Sequence, residues 1–215
     1  MENKEAIVAE NIILYTNPMS RGRIARWMLE ETGVPYRVES LDFATTMKAP
    51  AYLAINPMGK VPAIRHGDAV VTECAAICAY LADAFPAAGL TPEGAARAAY
   101  FRWMFFAAGP LEAAIADRVL GVTVPADKQA MIGYGTYAKV MDALEHAVSA
   151  TPFVAGERFS AADVYVGSHV GWGLQFGTIE KRPAFADYWT RVSDREAHRR
   201  ASALDDADMA AMKAG

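Results

Sequence analysis

The sequence predicts a small α/β domain followed by an all-α domain. Three features carry this reading. Strand-like and helix-like patterns alternate up to residue 85. Composition then shifts at "PAAGLTPEG" (86–94), a Pro/Gly/Ala linker. Beyond it no stretch reads as a strand, and apolar residues recur at helical spacing. A chain of 215 residues has room for one large domain or two small ones.

The elements follow in order. "NIILY" (11–15) is apolar and β-branched, a buried strand, and "TNPMS" (16–20) is turn chemistry. From Arg21 to Thr32, Ile24, Ala25, Trp27, Met28 and Leu29 fall at helical spacing, and Gly33 with Pro35 stops the run. "YRVESLDF" (36–43) alternates as a second strand; one helix intervenes, so parallel pairing with the first makes a βαβ unit. A short irregular helix spans 48–55. Gly67-Asp68 separates two short apolar runs, a hairpin signal, and the helix after Glu73 carries Ile77, Tyr80 and Leu81 on one face. Past the linker, 93–120 and 125–149 form long helical patterns, the first rich in aromatics. "FSAADVYVGSHVGWGLQF" (159–176) opens on a Ser-x-x-Asp cap, which makes Asp163 the structural partner of Ser160. One or two short helices close the chain.

Composition bounds the function. Apolar residues make up 53% of the chain, enough for a sizeable core. Net charge is −4, from 21 basic and 25 acidic residues, with no basic stripe to meet nucleic acid. No apolar run reaches the ~18–20 residues of a membrane span. "MENKEAIVAE" lacks the apolar centre of a signal peptide, so a cytoplasmic location is expected. Cys74 and Cys78, four apart, share a helix face; they read as small buried apolar residues, and neither a disulfide nor a metal site is expected.

"NPMGKVPAI" (56–64) carries the chemistry. Val61, Ala63 and Ile64 are strand formers, yet Pro62 cannot donate a ladder hydrogen bond and belongs at an edge, a bulge or a strand start. Two readings follow: an ordinary trans proline on an edge strand, or a bend that leaves backbone groups unpaired for a ligand.

The Asn-Pro-x-Gly-x-Val-Pro-Ala run, then "TECAAICAYLAD", a linker, and helices including "FSAADVYV" together resemble a soluble bacterial glutathione S-transferase over residues 11–202. In motif the chain is similar to the Ser-type plant-like and the beta-like branches. The resemblance implies a thioredoxin-like glutathione-binding domain at 11–85, a linker at 86–92 and an all-helical domain at 93–215. It implies a cis Val61–Pro62 bond, the bond type for which cis costs only ~0.5–1 kcal/mol. The Val61 backbone then pairs with the cysteinyl part of glutathione as an added strand would. The γ-glutamyl carboxylate falls on the helix start at Glu73 and Cys74, where backbone N–H groups suit an anion. The family usually has Ser or Thr where this chain has Cys74, a weak thiol donor in place of a hydroxyl. Lys48 and Lys60 are the candidates for the glycyl carboxylate.

The reacting species is a thiolate. A thiol of pKa ~8.5 is about 3% ionised at pH 7; moving it to ~6.5 makes roughly three quarters thiolate and takes about 2.7 kcal/mol. The resemblance points to Ser20, in a Pro-x-Ser run before the first helix, as the donor to sulfur, with Asn17 second. Arg21 adds positive potential, and Tyr15, ending a strand, reads as packing. A plain N-cap is the bland alternative for Ser20. Phe105, Phe106, Pro110, Trp172 and Phe176 are the candidates for a pocket between the domains that holds a small apolar electrophile. The implied activity is attack of glutathione on that electrophile by a homodimer, with glutathione as co-substrate and no metal. The alternatives are glutathione-dependent thiol-disulfide or peroxide reduction, and a non-catalytic binding module.

Overall fold

Ile12 and Leu14 are fully buried, and they make β1 (Ile12–Thr16) an inner strand. The computed structural model describes residues 11–214; the signal-peptide reading of residues 1–10 lies outside them. They form two units, one of residues 11–88 with 195–214, the other of 89–194.

In the first unit, α1 (Gly22–Thr32) buries Ile24, Ala25, Trp27, Met28 and Leu29 and stops at Gly33 in the left-handed conformation. β2 (Arg37–Ser40) runs parallel to β1, with Leu14 opposite Val38, which gives the expected βαβ unit. It is shorter than expected because Leu41 turns inward and Asp42 ends the strand, accepting hydrogen bonds from the N–H groups of Ala44 and Thr45. A short helix, α2 (Pro50–Leu53), follows a turn of 3-10 helix at Thr46–Lys48. β3 (Ala63–His66) and β4 (Ala69–Thr72) form the hairpin around Gly67-Asp68, and β3 also pairs antiparallel with β1. The sheet order among the described residues is β2-β1-β3-β4. α3 (Cys74–Ala84) buries Ile77, Cys78 and Leu81; burial pushes the Cys78 thiol well up, consistent with an inert packed side chain.

In the second unit, the pattern expected at 93–120 is α4 (Ala95–Phe106), a π-helical turn at Ala107–Leu111 and α5 (Glu112–Leu120). The wide turn accommodates Pro110, which has no N–H to give. The helix expected at 125–149 is cut to α6 (Tyr137–Ala150): Gly133 and Gly135, the latter at φ 69°, lie outside it, and Thr136 caps it by accepting from the Lys139 N–H. α7 (Ala161–Phe176) starts on the expected capping box and is buried on every side through Gly171. The Asp163 carboxylate accepts from the N–H groups of Val154 and Ser160, the Ser160 hydroxyl and Tyr188. Its burial is deep enough to push its pKa up to about 6 against these donors. α8 (Pro183–Ser193) follows.

Of the one or two short terminal helices expected from residue 182 on, α8 is one, and the second, α9 (Glu196–Ala214), is longer than expected. It groups with the α/β unit, whereas the expected helical domain ran to residue 215. The reason is charge. Buried Arg26 on α1 pairs with Asp205 and Asp208, Arg23 pairs with Asp206, and Glu30 and Glu31 hold Arg200 and Arg195. Trp27 meets His198 edge-on at 4.6 Å between ring centres. Among the described residues no helix is long and apolar enough to cross a membrane.

Candidate active site

β1 delivers the chain at Thr16 into a tight loop, Asn17–Arg21, that opens α1. Asn17 is fully buried: its amide N–H donates to the Leu41 carbonyl at 2.8 Å, and its side-chain oxygen accepts from the Met19 N–H at 2.9 Å. One amide N–H and the amide oxygen thus brace the loop from both sides. Ser20 is half-buried at the mouth of the loop. Its hydroxyl accepts from the Gly22 N–H at 2.9 Å and donates to the Asn17 carbonyl at 2.6 Å. The start of α1 lies so close to β1 that a Cβ at Gly22 would sit 1.8 Å from the Thr16 hydroxyl oxygen, so glycine is required there. Tyr15 is buried and clusters with Leu41, Met47, Tyr52 and Ala63.

The Asn56–Pro62 loop is the second wall. Gly59 turns it at φ 56°. The Lys60 carbonyl accepts from the Tyr52 hydroxyl at 2.6 Å and the Asn56 amide at 2.8 Å, and burial pushes the Tyr52 phenol up to about 12, a neutral donor. Lys48 donates to the Gly59 carbonyl at 2.6 Å, so one of its protons clips the turn, while the Lys60 side chain is exposed. The Val61–Pro62 bond is cis. Val61 is half-buried and stands outside the strand register, which begins at Ala63.

Glu73 closes the site. It has φ 65° and ψ 121°, and it is the one non-glycine residue with positive φ among the described residues. That conformation is strained for a side chain with a Cβ. It turns the backbone sharply from β4 into α3, whose first residue is Cys74. The Cys74 sulfur lies 3.7 Å from the Arg21 carbonyl oxygen. The first turns of α1 and α3 are thus neighbours, and their positive dipole ends share one corner of the sheet.

Residues 19–84 match the glutathione S-transferase N-terminal domain and residues 104–196 the C-terminal domain. This chain belongs to the glutathione S-transferase family. Glutathione S-transferase 3 of Zea mays is 28% identical over 86% of the chain and 90% of that protein. Glutathione S-transferase GST-4.5 of Xanthomonas campestris is 38% identical over a shorter stretch, 43% of this chain and 46% of that protein. Among solved structures, a glutathione transferase homologue from Sulfitobacter with bound glutathione superposes with a TM-score of 0.73 at 30% identity, covering 92% of this chain and 98% of that one. A glutathione transferase from Methylococcus capsulatus gives 0.75 at 27% identity, covering 91% and 99%.

In the helical unit of this family member, Phe105 and Phe176 stand open on the surface, at 68% and 69% exposure. Phe106, Pro110 and Trp172 are half-buried, and Phe106 meets the buried Trp103 edge-on. None of these five side chains belongs to the buried core, which uses Tyr100, Trp103, Tyr165 and Tyr188 instead. Sequence reasoning named Glu73 but missed its positive φ, and it missed the Tyr52 and Asn56 braces and the contacts of Arg23. Asn56 and Gly59 lie in the turn motif and signal it; Glu73 and Arg23 carry no local signal.

Proposed function

We propose that this chain binds glutathione along Val61, Glu73 and Cys74 and activates its thiol with the Ser20 hydroxyl for attack on a small apolar electrophile. The observation that carries this is the adjacency of two helix starts, joined through Cys74 and the Arg21 carbonyl. Glutathione brings two anions to this corner: the γ-glutamyl carboxylate suits the N–H groups at the start of α3, and the thiolate suits the start of α1 with its hydroxyl. The backbone of Val61, outside the strand register, supplies an edge for the peptide. Lys60, and the remaining protons of Lys48, serve the glycyl carboxylate. The electrophile side is assigned to Phe105, Phe106, Pro110, Trp172 and Phe176. The thioredoxin-like domain is taken as 11–85 and the active form as a homodimer in the cytoplasm.

The binding arm of the test is retention on immobilised glutathione with elution by free glutathione. The chemical arm is activity with a generic aryl halide and, separately, a hydroperoxide. Retention with aryl-halide activity is expected. Retention with hydroperoxide activity alone favours the reductase reading, and retention with neither favours a binding module. Failure to be retained refutes the site. Sedimentation at micromolar concentration is expected to give twice the 23.2 kDa chain mass; a single chain mass refutes the homodimer.

A further inference from the structure

We propose that Arg23 is a positioning residue for Ser20 and that Asp206, on the C-terminal helix, sets Arg23. The proposal rests on the reading of Ser20 as the thiolate donor.

Arg23 holds the chain on both sides of Ser20. Its backbone N–H donates to the Ser20 carbonyl at 3.3 Å. Its side-chain Nε donates to the Pro18 carbonyl at 2.6 Å. Its Nη2 donates to Asp206 Oδ1 at 2.7 Å. The planar guanidinium presents donors in a fixed fork, so the carboxylate that holds Nη2 also fixes the direction of Nε. Asp206 is itself held in place: its neighbours Asp205 and Asp208 take buried Arg26, and Arg200 and Arg195 reach back to Glu30 and Glu31. The register of α9 on α1 is therefore fixed without Arg23.

The Arg23–Asp206 pair is partly exposed, 26% and 61% for the two side chains. Exposed ion pairs contribute little to global stability. The consequence of this pair is geometric, because its far end grips the loop that carries the reacting hydroxyl. Asn17 on Leu41 anchors the loop at its opposite end, and the Cys74 sulfur meets its last residue at the Arg21 carbonyl; the Pro18 carbonyl between them is held by Arg23. Without the Arg23 grip the Pro18–Ser20 segment loses its fixed edge, and the Ser20 oxygen shifts relative to sulfur. Small misplacements of a reacting group cost rate steeply, up to about a hundredfold for an ångström.

The experiment is a double-mutant cycle on the full chain. Arg23→Met and Asp206→Asn are each made alone and with Ser20→Ala. The readouts are the thiolate absorbance of bound glutathione, kcat with an aryl halide, KM for glutathione and the melting temperature. Arg23→Met is expected to lower thiolate absorbance and to cut kcat by about tenfold with KM within roughly twofold. Asp206→Asn is expected to give a smaller loss in the same direction. In the Ser20→Ala background neither change should cost anything further, since residues acting through one group are not additive. An equal fractional loss in both backgrounds, or no loss in either, overturns the proposal. Should Arg23→Met fail to fold, Asp206→Asn, at an exposed position, decides the same cycle alone. A Ser20→Ala protein with undiminished thiolate and kcat overturns the reading of Ser20 and the proposal with it. A deficient Ser20→Ala beside unaffected Arg23→Met and Asp206→Asn overturns the proposal alone.

Discussion

Replacing Glu73 with glycine should stabilise the fold while weakening glutathione binding. The residue sits at φ 65° and ψ 121°, outside the regions open to a side chain with a Cβ, and its side chain is exposed. Such a conformation costs about 1–3 kcal/mol. Glycine removes that cost and adds roughly 0.5–1 kcal/mol of unfolded-chain entropy. The net gain is then about 1 kcal/mol, or ~2–4 °C in melting temperature for a chain of this size. The variant also loses the Glu73 carboxylate, an opposite charge for the γ-glutamyl amino group when glutathione lies on this helix start, and for an exposed pair that weakens binding by up to about fivefold. Glu73→Ala is the control, because it loses the same carboxylate and keeps the strain. Calorimetric melting and glutathione titration of wild type, Glu73→Gly and Glu73→Ala separate the two effects. The glycine variant should melt above the alanine variant, the reverse of the order at an ordinary position. If alanine is as stable as glycine or more so, Glu73 is not strained and the reasoning fails. If both variants bind glutathione as tightly as wild type, the carboxylate has no part in binding.

The remaining expectations are these. Ser20→Ala should raise the pKa of bound glutathione by about 0.5–1.5 units, because a charge-assisted bond of ~1.5–3 kcal/mol is offset by the ~1 kcal/mol of the Asn17 bond given up. An unmoved thiolate titration makes Ser20 a cap only. Asp163→Asn should destabilise the helical unit by about 3–5 kcal/mol, since an amide N–H₂ then faces donors that now converge on a carboxylate; a denaturant midpoint near wild type refutes this. Cys74→Ser should tighten glutathione binding about tenfold by calorimetry, through a hydroxyl bond of at least ~1.5 kcal/mol to the γ-glutamyl carboxylate. Equal or weaker binding shows that the hydroxyl goes to the Arg21 carbonyl, where the sulfur already points.

What could be read in the sequence was written in residue types that a position demands. Pro62 and Gly59 mark a turn because few other residues adopt its backbone, and Ser160 with Asp163 marks a helix entry because their side chains satisfy its N–H groups. The parallel β1–β2 pair followed from one intervening helix and the β3–β4 pair from one short hairpin, whereas the antiparallel pairing of β3 with β1 that joins them carried no local signal. What could not be read lacked such a demand. The φ of Glu73 suits glycine, and a glutamate stands there, so its residue type gives no sign of the conformation. Arg23 and Asp206 are 183 residues apart, and each alone looks like a solvated charge. The acidic run Asp205, Asp206, Asp208 reads as an exposed face until Arg26 is seen buried against it. The helix expected at 125–149 does not form before Tyr137, because the cost of Gly133 and Gly135 outweighs the apolar spacing there.

The division between legible and illegible has a bearing on Cys74. Much of what the proposed site offers a peptide anion is main chain: the Val61 edge and the N–H groups that open α1 and α3. Main-chain donors survive substitution of the side chain they carry, provided the turn that aims them is kept. At α3 that turn is made by the backbone dihedrals of Glu73 itself, one residue before the cysteine. The departure at Cys74 should therefore reduce affinity by the worth of one hydroxyl without dismantling the helix start. A change that relaxes Glu73 works the other way, keeping every donor but loosening its aim. Glutathione affinity should thus rise less in the double variant Glu73→Gly with Cys74→Ser than in Cys74→Ser alone. Recovery of full affinity in that double variant would mean that side chains, not the strained backbone turn, dominate binding at this corner.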